Sequence, residues 1–468
     1  MISGMITKTI VLSRKQEFLA ELQNADAVMV FGIEISKERK RRNIMNYEDI
    51  CNHITILQEE LMPALGCTEP IAVAFAAAKA RDVLDQFPEH MIVHCSGNII
   101  KNVKSVTVPN SNGLRGIDAA AILGVVGGQA QKNLEVLKEV QSPHISKTIE
   151  LLNTGFCDVR AATGVDKLYL KIEVFAGNDH ATVVIQGHHT NITDIEKNGK
   201  VLFHHDYVDE TSATRKGDRS KLTVRSILEF ADAVDAEELR PIIEPQIECN
   251  LRISEEGMDT RYGAGVARAL LDEENASVYT VARAKAAAAS EARMAGCSLP
   301  VVINSGSGNQ GITVSVPVIV YAREKHYSER KLFRALAVSN LVSIHLKYYI
   351  GDLSAFCGAV TAACGAGAAL AYLDGGDYGV VADTISNTLA SVSGIFCDGA
   401  KPSCAAKVAA ALDAAFLSFR MARKHRAYNP GEGVVGEDVE QTISGVGLIG
   451  REGMDETDLH ILRVMMQS

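Results

Sequence analysis

A thiol-rich stretch from Ser354 to Lys407 sets the tightest limits on what this chain can become. Four of the ten cysteines, Cys357, Cys364, Cys397 and Cys404, fall inside it among small residues and in segments that carry almost no charge. Cys357 opens an Ala- and Gly-rich run, and Cys364 follows seven residues on, close to the same helical face. Between Cys397 and Cys404 lie Asp398, Gly399, Ala400, Lys401, Pro402 and Ser403, and the Gly and Pro make this a loop able to curl two thiolates around one object. One reading accounts for the group. Cys357 from a helix end, with Cys397 and Cys404 from a loop, holds an iron–sulfur cluster by three ligands and leaves the fourth iron open for chemistry.

The remaining composition narrows the class. A chain of 468 residues with 47% hydrophobic content can bury a sizeable core in two or three lobes. Its 47 basic and 57 acidic residues give a net charge of −10, which argues against nucleic-acid and anionic-membrane partners and for a small substrate. Cysteines spread along a chain with no secretory signal at its start suit a reducing, cytoplasmic compartment and metal or catalytic thiols. Leu353 to Leu373 is uncharged and long enough to cross a bilayer, but its Ala, Gly, Ser and Cys content marks a buried helix that admits close neighbours. Residues 1–44 read as an extension, with a short apolar patch from Ala27 to Phe31, then a solvated basic run (Lys37, Arg39, Lys40, Arg41, Arg42), and Met45 as an alternative start.

Further along, residues 45–157 read as the first part of a catalytic core. Tyr47 to Met62 is helical and stops at Pro63, and Gly66-Cys67-Thr68-Glu69-Pro70 precedes an Ala-rich helix to Leu84, with Thr68 as the expected N-cap. Cys67 then sits where a helix start favours the thiolate and lowers its pKa. The Gly124, Gly127, Gly128 set reads as close helix packing rather than a phosphate loop. Residues 158–220 form a β-rich lobe and linker. Its short β-branched runs (Leu168 to Val174, Ala181 to Gln186, Asn191 to Ile195, Lys200 to Phe203) predict a small antiparallel sheet, its histidine pairs His188-His189 and His204-His205 read as surface or hairpin residues rather than zinc ligands, and Thr214 to Ser220 reads as a polar linker. Residues 221–468 are mostly helical. Within them the loop Asn304-Ser305-Gly306-Ser307-Gly308-Asn309-Gln310-Gly311 offers many donors and no large side chain, so Asn304, Ser305, Ser307, Asn309 and Gln310 are candidates for gripping a carboxylate or ammonium group.

Four motifs taken together, Gly66 to Pro70, Ser307 to Gly311, Phe356-Cys357-Gly358-Ala359 and Cys397 to Cys404, resemble the L-cysteine desulfidase family. That family is related to the α-domain of iron–sulfur L-serine dehydratases, and the resemblance runs from about Tyr47 to the C-terminus. It implies that Cys67 accepts a proton, that Cys357, Cys397 and Cys404 bind a [4Fe-4S] cluster, and that Cys364 is not a ligand. Serine dehydratases have a longer spacing between the last two ligands, which leans the implied substrate toward cysteine.

The resulting expectation is an α+β protein, an Ala- and Gly-rich helical core with a small antiparallel β-lobe. It would catalyse α,β-elimination of a small amino acid and is compatible with a homo-oligomer. L-Serine dehydration is the alternative reaction, and a non-enzymatic iron–sulfur redox sensor is the alternative class. A pyridoxal-phosphate lyase would instead need a lysine such as Lys401 as its Schiff base. Plain buried thiols in a helical protein are the last rival.

Overall fold

The β-branched runs between Tyr169 and His204 become strands near the places where their alternation predicts them. In this computed structural model, which describes residues 45–206, 216–259, 262–272, 276–351 and 353–467, the strands in chain order are β1 (Pro63–Leu65), β2 (His90–Cys95), β3 (Cys157–Ala161), β4 (Tyr169–Ala176), β5 (Asp179–Gln186), β6 (Ile192–Lys197), β7 (Lys200–His204) and β8 (Pro300–Val302). The apolar patch and basic run of residues 27–42 lie outside the described residues. Residues Ile50–Ser468 form one compact body, while the described part of Met1–Asp49 opens the helix Tyr47–Glu60. The architecture is α+β, with a helical core of small residues and a six-stranded sheet in the order β3-β2-β4-β5-β6-β7.

That sheet departs from the expected antiparallel lobe in two ways. β2 joins it from upstream, and β2 pairs with β3 in parallel. Met91, Val93 and Cys95 alternate inward on β2 as Leu170, Ile172 and Val174 do on β4, so both strands bury one face against the same core. The helix Thr68–Leu84 covers that face and packs on its other side against the helix Ile117–Gly127. Covered on both sides, it is buried through most of its length and has no polar stripe.

Small residues set how closely these helices approach. A Cβ added at Gly124 would stand 2.3 Å from the Ala74 carbonyl oxygen, and one at Gly365 in the helix Gly358–Leu373 would stand 2.2 Å from that of Ser339 in the helix Glu329–Ile350. The glycines of residues 124–128 thus serve helix packing.

The pairing of β1 with β8 is the connection the site depends on. Pro63 lies opposite Val302 and Leu65 opposite Pro300, and the Ile303 amide donates to the Met62 carbonyl at 2.9 Å. Just beyond β1 the chain turns at Gly66, whose φ is +61° and whose Cβ would lie 2.1 Å from Pro109 Cγ, so only glycine fits. Of the expected linker, residues 216–220 are described. They are anchored rather than solvated, because Arg219 is buried between Glu59 at 2.6 Å and Glu60 at 2.8 Å.

Gly124→Ala separates propensity from packing. Alanine gains about 1 kcal/mol in a helix interior, whereas overpacking against a backbone carbonyl costs about 1–3 kcal/mol or more. Packing is expected to win, so urea unfolding should show a net loss of about 1–2 kcal/mol.

Candidate active site

Four helices begin at one cavity of about 120 Å³. Cys67 is the N-cap of Thr68–Leu84, Ser307 that of Gly308–Glu324 and Cys357 that of Gly358–Leu373, while Cys404 is the first residue of Cys404–Ala422. None of these starts carries a side-chain cap bond, although at the last of them the Cys404 and Ala405 amides donate to the Lys401 and Pro402 carbonyls at 2.9 and 3.2 Å. The expected N-cap, Thr68, lies one residue inside its helix. Its hydroxyl donates instead to the Gly306 carbonyl at 3.0 Å, which ties the Cys67 turn to the Asn304–Gly311 loop.

Backbone pairing gathers the thiols of the C-terminal half. Phe356 and Phe396 form an antiparallel bridge, with the Cys357 amide donating to the Ile395 carbonyl at 3.0 Å and the Cys397 amide to the Ala355 carbonyl at 2.5 Å. Cys404 packs against the cluster of Cys67, Val106 and Met294. Cys67, Cys357, Cys397 and Cys404 all line the cavity as free thiols. Burial and then the neighbouring Cys397 push the Cys357 thiol up to about 12, and burial raises Cys404. Lys401 and Lys407 both pair with Asp398. Cys364 is fully buried inside its helix, away from the cavity lining. Among the described residues no group of three His, Cys, Asp or Glu side chains is closed up tightly enough to hold a metal ion.

Cys67 departs from the expectation of a lowered pKa. Burial is the largest influence and pushes its thiol well above the ordinary range, and the Glu69 carboxylate adds to this, while the Arg293 charge opposes it. The thiol donates to Glu69 Oε2 at 3.1 Å. Glu69 also accepts from Asn102 Nδ2 at 2.9 Å, and Thr68 Oγ1 lies 3.1 Å from its Oε2. Burial alone would raise the Glu69 pKa, but His189 and the Cys67 thiol hold it down to about 2.

His189, expected at the surface or in a hairpin, sits in a hairpin turn and is only 13% exposed, with Nε2 3.8 Å from Glu69 Oε1, too far for a hydrogen bond. The turn after β5 delivers it there. His188 lines a neighbouring, larger cavity, and His204 is exposed at the sheet edge beside Asp194.

The polar loop divides. Ser307, Asn309 and Gln310 line the cavity, with Asn309 and Gln310 already in the first turn of a helix that begins four residues earlier than the apolar run from Ile312 indicates. Asn309 accepts from Ser290 Oγ at 3.1 Å, and Gln310 accepts from Thr361 Oγ1 at 3.2 Å. Asn304 and Ser305 stand apart. Asn304 is fully buried and donates to Asn340 Oδ1 at 2.9 Å, which makes it a structural strut, and Ser305 lines the larger neighbouring cavity.

Sequence reasoning missed Glu69, Lys101, Asn102 and Arg293 on the cavity wall. Glu69 stood in the Gly66–Pro70 motif without a role. Arg293 continues the Ala282, Ala286, Ala289 stripe of the helix Val278–Met294, and a charge placed on an apolar stripe signals a buried one.

Comparison with known proteins adds a family. The family described as serine dehydratase alpha chain matches residues 131–463, a span that includes Cys357, Cys397 and Cys404 but not Cys67. The chain is 49% identical over 413 residues to a UPF0597 protein of Lachnoclostridium phytofermentans, covering 88% of this chain and 99% of that one. It is 46% identical over 420 residues to a UPF0597 protein of Treponema denticola, covering 89% and 97%. Against a UPF0597 protein of Desulfitobacterium hafniense it is 47% identical over 414 residues, covering 88% and 96%.

The Cys67–Glu69 contact sets the sign of a pH response. Because burial and the Glu69 charge both disfavour the thiolate, alkylation of Cys67 by iodoacetamide, followed by mass spectrometry, should rise only above the ordinary thiol range. Glu69→Gln removes the negative charge and should shift that rise to lower pH. An unchanged or higher midpoint in the variant would contradict the assignment.

Proposed function

Since the chain belongs to the serine dehydratase alpha chain family, we propose that it is a lyase which eliminates the β-substituent of a small amino acid, L-cysteine foremost, giving sulfide, ammonia and pyruvate. The observation that carries this reading is the convergence of Cys357, Cys397 and Cys404 with Cys67 on one cavity. Three thiols form the donor set of a [4Fe-4S] cluster with one open iron. Four helix starts around the cavity favour the negative charge such a group brings.

When bound, the cluster would supply a Lewis-acid iron that acidifies the α-proton and steadies the leaving group. The chain's own residues do the rest. Cys67 takes the α-proton as a thiolate, its own proton having passed to solvent, an ionisation that burial opposes and that Arg293 and the incoming ammonium group favour. As the proton leaves, the carbon–sulfur bond breaks and sulfide departs. The resulting aminoacrylate tautomerises and is hydrolysed by water to pyruvate and ammonia. Ser307, Asn309 and Gln310 orient the substrate from the start of their helix.

L-Serine losing water is the second reading, and the description of the matched family favours it. The pyridoxal-phosphate rival is weakened by Lys401, whose amine is held by Asp398 and by the Gly399 carbonyl at 3.1 Å and is not part of the cavity wall.

Anaerobic purification should yield protein with bound iron and sulfide that releases pyruvate from L-cysteine, L-serine or both. Cys357→Ala should lose the iron. Cys67→Ala should keep it while pyruvate release falls roughly 10²–10⁴-fold, the usual contribution of a positioned base. Iron without pyruvate from either amino acid would point to the redox sensor, and wild type without iron would overturn the proposal.

A further inference from the structure

The cations on the cavity wall are Lys101, Lys347, Lys407 and Arg293. The lysines have partners. Lys101 pairs with Asp458, Lys407 pairs with Asp398, and Lys347 donates to the Gly351 carbonyl at 2.6 Å. Arg293 has none: it is 2% exposed, its guanidinium makes no ion pair or hydrogen bond among the described residues, and Nε is fully enclosed. Arginine cannot relieve this by losing its proton. A buried charge without a partner costs several kcal/mol, so the arrangement calls for an anion.

The chain's nearby carboxylates do not supply one. Glu69 is committed to Cys67 and Asn102. Glu291, two residues before Arg293, accepts from the amides of Gly265 at 2.8 Å and Val266 at 3.1 Å. The surroundings add positive potential instead. A Cβ at Gly308 would lie 2.3 Å from Arg293 Nε, so the guanidinium rests against the start of the seventeen-residue helix Gly308–Glu324, which has no side-chain cap. A guanidinium and a helix N-terminus side by side repel each other unless an anion sits between them.

We propose that Arg293, together with the first turn of Gly308–Glu324, receives the α-carboxylate of the substrate. This rests on the cavity being an amino-acid lyase site, and it moves the carboxylate from the polar loop alone to a two-sided clamp. Guanidinium and carboxylate match as a planar fork, and backbone N–H groups can take the remaining lone pairs. A carboxylate fixed there orients the α-carbon in the cavity shared with Cys67, whose thiol already feels the Arg293 charge.

The test uses L-alanine and L-alaninamide, which lack a leaving group and differ only at the carboxyl position. Calorimetric titration of anaerobically purified wild type should show L-alanine bound roughly 10- to 100-fold more tightly, the span a charged hydrogen-bonded contact provides. Arg293→Gln should bring the two affinities together, and Arg293→Lys should retain part of the difference. Wild type that shows no preference for the acid, or Arg293→Gln that keeps the wild-type ratio, overturns the proposal. If Arg293→Gln does not fold, the wild-type preference and a reduced ratio in Arg293→Lys decide the matter. Pyruvate release from L-cysteine and from L-serine by wild type is scored separately. Its failure with both amino acids while the binding pattern is intact would defeat the lyase reading but not the carboxylate receptor.

Discussion

The convergence of four helix N-termini on one small cavity is the constraint from which the rest of the structure follows. Each start carries a partial positive charge, roughly half a unit when the helix is long, so bringing them together is electrostatically unfavourable unless anions or polarisable sulfur occupy the space between. Two short backbone pairings hold them there, β1 with β8 and Phe356 with Phe396, each joining segments distant in sequence. Such pairings are too short to persist alone. They are stabilised by helices whose Gly and Ala residues let backbones meet almost directly, as Gly124 meets Ala74.

Cys67 shows two opposing effects decided by magnitude. A helix N-terminus favours a thiolate by about 0.3–1 kcal/mol, rising to about 2 when partly buried. Full burial can shift a pKa by up to about 3–5 units, and each unit corresponds to about 1.4 kcal/mol. Burial therefore prevails, and the adjacent Glu69 carboxylate reinforces it. A thiol placed in this way rests in its protonated form.

Much of this was legible in the sequence because it depended on local pattern. Alternation gave β4 to β7, the Ala-rich run after Pro70 gave the helix Thr68–Leu84, and the Gly-Pro loop between Cys397 and Cys404 marked a turn that returns two thiols to one place. What was not legible depended on long-range register. Nothing local to His90–Cys95 says that it joins β4 and runs parallel to β3, and nothing in Pro63–Leu65 says that Pro300–Val302 is its partner. The pKa of Cys67 was misjudged for the same reason. Its position at a helix start can be read from the chain, whereas its burial comes from Val106, Met294 and Cys404.

The sheet, placed to one side of the thiols, still bears on their chemistry through His189. The turn between β5 and β6 carries this residue over the start of the helix Thr68–Leu84, where Gly306 leaves room for the ring, a Cβ there falling 3.3 Å from His189 Cε1. His189 helps keep Glu69 ionised, and an ionised Glu69 keeps its bonds to Cys67 and Asn102. The helix Thr68–Leu84 is clamped between this sheet and the helix Ile117–Gly127, so the direction in which Cys67 points is set from both sides. The antiparallel strands, which hold no thiol of the proposed cluster, thereby reach the Cys67 sulfur through the Glu69 carboxylate.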